Sequence, residues 1–221
     1  MLPDYSDLLK CPFCGEKKKV FSLLSGNTFE CELWSDTRFV APMLPEVSYV
    51  QKCNRCGKYY FKDRQMCGKS DDYDGDRGLL SYQEWKEAYF QMLRDNAEGA
   101  HGKHVVSDDD VLDVRFFLIW AYNDYYYRND ECIIPSEEEH DFMVGLIKTQ
   151  LEATKGWKPG GLLLKAELYR ESNQMDLCLE TLKTISDLGV SLDKAESLLF
   201  ERMREEALKG NDKVFIVFSK K

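Results

Sequence analysis

The chain has 221 residues, of which 43% are hydrophobic and 31% are charged, and this balance excludes a disordered polypeptide. The net charge of −9 divides into +3 over residues 1–70 (11 Lys and Arg against 8 Asp and Glu) and −12 over residues 71–221 (19 against 31). The change of sign predicts two parts, and the acidic second part disfavours general affinity for nucleic acid.

The first residues, Met1 to Tyr5, contain no basic segment followed by an apolar one, so we expect no secretory leader. The longest uninterrupted apolar run, residues 116–122, is far too short to cross a bilayer. We therefore expect a cytoplasmic protein without membrane attachment. In that compartment, closely spaced cysteines bind metal more often than they form disulfides.

Half of the eight cysteines occur in two copies of the motif Lys-Cys-X-X-Cys-Gly, which we call the first and second knuckles. The glycine after each pair can adopt a positive φ, which lets the chain turn sharply and direct both sulfurs at one ion. Four thiolates at this spacing predict a closed tetrahedral Zn²⁺ site with no coordination position open for water or substrate. The predicted metal ligands are Cys11, Cys14, Cys53 and Cys56.

The residues around the knuckles have the patterns of short strands. Apolar and polar residues alternate at 29–34, and the turn-forming residues 25–27 precede them, so residues 19–35 predict a hairpin. Residues 47–50 and 59–61 predict two further strands that flank the second knuckle.

With its two knuckles and short strands, this segment resembles a zinc ribbon, the rubredoxin-like two-knuckle domain. The resemblance implies a small antiparallel β domain over residues 1–70 in which zinc replaces a hydrophobic core. The 38 residues between Cys14 and Cys53 exceed the spacer of short ribbons. Two further cysteines of residues 1–70 lie outside the motifs, and we predict that Cys31 is a core residue and that Cys67 has no role in the site.

Two other functions are open for this part. Basic residues beside aromatic ones can grip a phosphate backbone and stack on bases, so a nucleic-acid-binding ribbon is the alternative. Cys11-Pro12-Phe13-Cys14 also resembles a glutaredoxin active site, which makes a thiol oxidoreductase a more distant alternative. The residues on which the nucleic-acid alternative depends are Lys17, Lys18, Lys19, Lys52, Arg55, Lys58, Lys62 and Arg64, with Tyr59, Tyr60 and Phe61.

A polar, glycine-rich segment at residues 68–78 predicts the boundary between the two parts. Capping signals and apolar periodicity then predict an all-α domain over residues 79–210. Residues 211–221 follow it, and the unbroken apolar run at 214–218 predicts a strand that returns to the N-terminal part. The predicted helices are 81–96, 107–128, 136–154, 160–172, 174–188 and 191–209.

Residues 162–190 resemble a tetratricopeptide-type helix pair. Ala166 and Tyr169 match the small and aromatic positions of the first helix, and Asn173 falls at the tight turn. Cys178 matches the small position of the second helix, with Leu182 and Ile185 at its packing positions. The resemblance implies a stack of helical hairpins with a face that binds a protein or peptide.

Other candidate residues have simpler interpretations. His101 and His104 lie close together, but no acidic or cysteine partner follows at a useful ligand spacing, so a metal site is not expected. The acidic residues fall mostly at helix starts and on faces expected to be solvated. The cluster of Trp120, Tyr122, Tyr125, Tyr126 and Tyr127 has helical spacing, which favours packing over a ligand groove.

The sequence therefore predicts an α+β protein: a zinc ribbon, a tetratricopeptide-like helical domain and a C-terminal strand. The combination resembles an uncharacterised bacterial family. No catalytic motif is present, so we expect a non-enzymatic protein with a structural Zn²⁺ ion and a protein or peptide partner. The sequence leaves the oligomeric state open.

Overall fold

The computed structural model describes residues 2–99, 104–129, 133–154, 156, 158 and 161–220. The fold is α+β, as predicted, with small antiparallel sheets, six helices and a C-terminal strand among these residues. The strands are β1 (Leu2–Lys10), β2 (Lys17–Ser25), β3 (Glu32–Trp34), β4 (Phe39–Val40), β5 (Val50–Lys52), β6 (Tyr59–Phe61), β7 (Met66–Lys69) and β8 (Ile216–Ser219). The helices are α1 (Tyr82–Glu98), α2 (Asp108–Tyr126), α3 (Glu137–Ala153), α4 (Leu162–Glu171), α5 (Met175–Asp187) and α6 (Lys194–Leu208).

The contacts divide the chain into two compact units, and neither unit is a continuous stretch of sequence. The first unit comprises Met1–Glu30 and Ala41–Leu118, and the second comprises Cys31–Val40 and Ile119–Lys221. The predicted boundary at residues 68–78 lies inside the first unit. A short segment between the two knuckles therefore belongs with most of the helices.

The first unit contains a three-stranded sheet in the order β2-β1-β7 and a two-stranded sheet of β5 and β6. The predicted strand at 59–61 is confirmed as β6, whereas the strand predicted at 47–50 overlaps β5 only at Val50. The predicted hairpin over 19–35 is wrong in its pairing, because β2 pairs with β1 from Leu2 opposite Ser25 to Lys10 opposite Lys17. The first knuckle is the turn that joins these two strands.

Strand β1 is difficult to recognise in the sequence because two polar residues are buried in it. The Ser6 hydroxyl accepts a hydrogen bond from the Gly75 N–H at 2.8 Å. The Asp7 carboxylate is 4% exposed and lies 2.7 Å from Lys69 Nζ and 3.1 Å from Lys62 Nζ. These polar partners come from distant parts of the chain, so the strand lacks the alternation that would have predicted it.

The six predicted helices are confirmed, and each observed end lies within three residues of its predicted position. The capping box at Ser81 is present, since its hydroxyl accepts from the Glu84 N–H while the Glu84 carboxylate accepts from the Ser81 N–H. Gly160, the predicted first residue of the fourth helix, lies outside the described residues. Across the part of the chain that the structure describes, every helix falls short of the length and apolarity of a membrane span.

The second unit has a core formed by α4, α5, α6 and β8. The turn between α4 and α5 contains Asn173 with a φ of 58°, a conformation that asparagine tolerates better than most residues. The small residues Ala166 and Cys178 are fully buried where the two helices meet. The buried core residues are Leu162, Leu163, Ala166, Cys178, Leu182, Ile185, Leu199, Met203, Ala207 and Val217.

The C-terminal strand returns to the N-terminal 70 residues, as predicted. Its partner is β3, which it meets antiparallel with Leu33 opposite Phe218, and the second unit's sheet has the order β4-β3-β8. The partner strand thus lies between the two knuckles in sequence but belongs to the second unit. Val217 of β8 is 3% exposed, and the Phe215 N–H donates to Ser35 Oγ at 3.1 Å.

Deletion of residues 214–221 is expected to destabilise the second unit by at least about 2 kcal/mol, because burial of Val217 alone contributes about 1.5–3 kcal/mol. Urea denaturation and limited proteolysis would measure the effect. Ser219→Ala, which changes an exposed side chain of the same strand, is the control and should leave stability unchanged. Equal stability of the deletion and the control would contradict the role assigned to β8.

Candidate metal centre

The two knuckles have the same backbone structure. In the first, the Gly15 N–H donates to the Cys11 carbonyl at 3.0 Å, and in the second the Gly57 N–H donates to the Cys53 carbonyl at 2.9 Å. The N–H of the first cysteine in each knuckle closes the turn with a further backbone hydrogen bond. Gly15 and Gly57 have φ values of 77° and 71°, as the motif predicts.

The structure brings all four predicted ligands together, with their Sγ atoms within 4.8 Å of one another. Cys11 Sγ lies 3.7 Å from Cys56 Sγ, and Cys14 Sγ lies 3.6 Å from Cys53 Sγ. Four sulfurs bound tetrahedrally at about 2.3 Å from one ion are separated by about 3.8 Å, so the spacing fits a metal centre. It is far longer than the roughly 2.05 Å of a disulfide bond.

Each knuckle contributes one deeply buried sulfur ligand and one that is more accessible. Cys11 and Cys53 are 2% and 3% exposed, whereas Cys14 is half-buried and Cys56 is exposed. The buried pair packs in a small apolar cluster with Leu9, Val20 and Tyr60. A metal ion held there would be covered by protein on one side and close to solvent on the other.

The thiols differ in acidity because their surroundings differ. Burial raises the pKa of Cys11 to about 12. Burial also acts to raise the pKa of Cys53, but hydrogen bonds from the N–H groups of Cys56 and Arg55 outweigh it and lower that pKa to about 7. Zinc binds the thiolate form, so metal binding at neutral pH must displace protons from the cluster.

Helix α1 supports the second knuckle through one side chain. The Gln91 amide accepts a hydrogen bond from the Tyr59 N–H at 3.0 Å and donates one to the Tyr59 carbonyl at 2.8 Å. These are the two backbone hydrogen bonds that a neighbouring strand would otherwise make to Tyr59 of β6. The same amide donates to Asp95 at 3.1 Å. No local sequence pattern signals this contact, because its partners are 32 residues apart.

His104 has the acidic partner that the sequence did not predict. Its Nε2 lies 3.2 Å from Asp95 Oδ2, and the residue is 3% exposed. The ring packs on Phe13 of the first knuckle with 4.8 Å between ring centroids. His104 is therefore a packing residue beside the metal centre, while His101 lies outside the described residues.

The aromatic residues on which the nucleic-acid alternative depends are buried. Tyr59, Tyr60 and Phe61 are 3%, 1% and 1% exposed, so their faces are covered by protein. Several of the basic residues are held by carboxylates: Lys19 by Asp72 and Asp74, Lys52 by Glu84, Lys62 by Asp7, and Arg64 by Asp110. Stacking of bases on these rings would require the β6 region to open.

Two cysteines of residues 1–70, Cys31 and Cys67, lie outside the motifs, and the predicted core position is confirmed for Cys31. Cys31 is 3% exposed, and its carbonyl accepts from the Lys220 N–H, so it is a core residue. Cys67 is exposed on β7. Neither sulfur belongs to the four-cysteine cluster.

Gly57→Ala is expected to weaken the metal centre. A Cβ atom at this position would meet no other atom within 4 Å, so the effect is confined to the φ of 71°, which costs about 1–2 kcal/mol for alanine. Competition with a chromophoric chelator should show zinc affinity reduced by roughly 5- to 30-fold. Gly145→Ala in α3 also has open space around it, but there alanine should stabilise the helix by about 0.5–1 kcal/mol. A Gly57→Ala protein with normal affinity would contradict the strained-turn explanation.

The comparisons with known proteins add no assignment to this geometry, since no protein-family model, curated protein or solved structure matches the chain. The interpretation of the metal centre therefore depends on the four sulfurs and the backbone that positions them. The interpretation of the helices depends likewise on their own packing and surfaces.

Proposed function

We propose that this is a non-enzymatic protein in which a structural Zn²⁺ ion holds the two knuckles together and the helices bind a protein or peptide partner. The observation that carries the proposal is the approach of four sulfurs from two distant sequence segments to distances that match one tetrahedral ion. Zinc is the metal best suited to four thiolates in a closed site. All four ligands come from the protein, so the ion has a structural and not a catalytic role.

The partner-binding part of the proposal is supported by the α4–α5 hairpin. Ala166 and Cys178 are fully buried at the contact between its two helices, where a tetratricopeptide-type pair has small residues. Asn173 forms the tight turn with a positive φ. Stacked hairpins of this type leave extended grooves between neighbouring helices, which bind peptides.

The helical surface best suited to a partner is a groove between α5 and α6. Its lining includes the apolar side chains of Leu179 and Phe200, and of Leu208, which is 69% exposed. Lys183 and Arg204 also line the groove with one acidic residue, Glu201, so its charged lining is net positive although this half of the chain is strongly acidic. The chemistry fits an amphipathic segment with apolar side chains on one face and acidic residues beside them.

Leu208→Asp should abolish capture of such a partner. Ile134→Asp is the matched control, because Ile134 is an equally simple aliphatic side chain, 86% exposed, and does not line this groove. Full-length wild type and both variants would be used as baits, and bound proteins quantified by mass spectrometry. A partner that binds wild type and the control but not Leu208→Asp supports the proposal. Identical capture by all three proteins would refute the assignment of the groove.

A nucleic-acid-binding ribbon is the second candidate function, and the structure disfavours it because Tyr59, Tyr60 and Phe61 are buried. Salt-dependent binding of DNA or RNA that is lost on replacement of Lys58 and Arg55 would favour it, since both side chains are exposed.

The positions of Cys11 and Cys14 support a thiol oxidoreductase less than they support a structural metal site. Its reactive cysteine would begin a helix, whereas Cys11 and Cys14 lie in the connection between β1 and β2. Disulfide cycling of this pair with turnover of a disulfide substrate would favour that function over the proposed one.

A further inference from the structure

Glu171, the last residue of α4, has a buried carboxylate with only one oxygen satisfied. The residue is 7% exposed. Its Oε2 accepts a hydrogen bond from Asn123 Nδ2 at 2.9 Å, while Oε1 is buried and has no hydrogen-bond partner among the described residues. An unsatisfied buried carboxylate oxygen is costly, so it requires an explanation.

The charges buried near Glu171 do not balance. Glu167 is paired with Arg170 at 2.5 Å, and Asp36 is paired with Arg128, so each of these carboxylates has its own guanidinium. Glu171 is the third carboxylate, and the closest group that donates to it is the neutral amide of Asn123. Burial raises the pKa of Glu171 well above its usual value, and the charge of Glu167 adds to this effect. Among the described residues, Glu171 is thus the one of these three carboxylates that has no guanidinium bound to it.

A small pocket opens beside this carboxylate. It has room for about one water-sized group. Tyr122 and Tyr127 provide aromatic walls, and Asp212 and His140 also line it. Burial raises the pKa of the Tyr127 hydroxyl, and the charges of Asp212 and Glu171 raise it further, which indicates a negative potential in the pocket.

We propose that this pocket binds the ammonium head of a primary alkylammonium ion, with Glu171 as its counter-ion and the two tyrosine rings beside it. An ammonium group is a compact positive charge, so it matches the size of the pocket and supplies the cation that Glu171 lacks. Aromatic rings attract such a group through their faces. The ring of Tyr127 already has a cation over it, since Lys213 Nζ lies 5.9 Å from its centroid.

The pocket suits an amine better than a metal ion or a guanidinium. Among the described residues, the four cysteines are the only group of three or more ligand atoms close enough to share a metal ion. A planar guanidinium is larger than the single water-sized space beside Glu171 and presents its donors in a wide fork. A primary ammonium donates three hydrogen bonds from one small centre, which Glu171 and Asp212 could accept.

Isothermal titration of the full-length protein with n-butylammonium chloride tests the proposal, with n-butanol as the uncharged control. Wild type should bind the amine and not the alcohol. Glu171→Gln keeps the size of the side chain and an acceptor for Asn123, and it should weaken amine binding by roughly 10- to 100-fold. Glu180→Gln on the exposed surface of α5 is the matched control and should bind like wild type. Asp212→Asn, a half-buried position, should weaken binding to a smaller extent and provides a second variant if Glu171→Gln fails to fold.

Two sources could supply the ammonium group, and a second pair of titrations distinguishes them. A blocked peptide with one central lysine that binds more tightly than butylammonium indicates a protein partner, whereas tighter binding of the free amine indicates a small molecule. The proposal that a partner's lysine fills the pocket rests on the proposed function. The proposal that the pocket binds an amine does not, because the amine titration requires neither zinc nor the α5–α6 groove. No heat with any amine, or equal binding of butanol, would overturn the proposal and leave Glu171 as a protonated core residue.

Discussion

Cys14→Ser is expected to abolish metal binding and to unfold most of the first unit. The serine hydroxyl is a poor zinc ligand, so the site loses one of its four bonds, and the metal contributes about 10–16 kcal/mol to folding in comparable zinc peptides. The loss should extend beyond the strands, because α1 is joined to β6 through Gln91 and Tyr59. The second unit has its own core around Cys178 and should keep its helices.

Metal analysis and region-resolved amide exchange would measure this effect. Wild type should contain one zinc per chain, and the variant should contain none, with fast exchange over β1, β2, β5, β6 and α1. Cys67→Ser is the matched control because Cys67 is exposed and its sulfur lies outside the cluster. A Cys14→Ser protein with full zinc content and native exchange would show that these cysteines do not form the metal site.

Arg170→Met should be the most destabilising single change in the second unit. Arg170 is completely buried, and its guanidinium binds Glu167, the carbonyls of Asn211 and Lys213, and Ser35 Oγ at 3.4 Å. Methionine fills much of the same space but leaves the Glu167 carboxylate buried without its partner. Loss of one member of a buried pair costs about 3–5 kcal/mol.

Urea denaturation of three variants would separate the charge from the packing. The double variant Glu167→Gln/Arg170→Met should recover much of the lost stability, because a neutral pair of similar volume leaves no unpaired charge. Arg204→Met changes an exposed arginine on α6 and should remain within about 0.5 kcal/mol of wild type. If the double variant were as unstable as Arg170→Met, the unpaired charge would not be the cause.

The features that the sequence predicts well are those with local signals. The spacing of Cys11, Cys14, Cys53 and Cys56 is sufficient to identify the four sulfurs that the fold brings together. Capping residues such as Ser81 and the 3.6-residue periodicity locate all six helices. Within each knuckle and within each helix, the residues that give the signal lie within a few positions of one another.

The features that the sequence does not predict depend on distant partners. Acidic residues were expected mostly on solvated faces, yet Asp36, Glu167 and Glu171 are buried beside arginines and an asparagine. A charge pattern cannot identify such burial, because Asp36 and Arg128 are 92 residues apart. The pairing of β1 with β2 was missed for a similar reason, since Asp7 in β1 is neutralised by lysines more than 50 residues away.

The interleaved order of the two units has a consequence for biosynthesis. The Ser35 hydroxyl accepts a hydrogen bond from the Phe215 N–H, and Phe215 is synthesised 180 residues after Ser35. At a translation rate of about 5–20 residues per second, β3 is without its neighbour β8 for roughly 10 to 40 s. The edge of β3 that pairs with β8 therefore stays unpaired throughout that interval, and an unpaired strand edge is open to pairing with other chains.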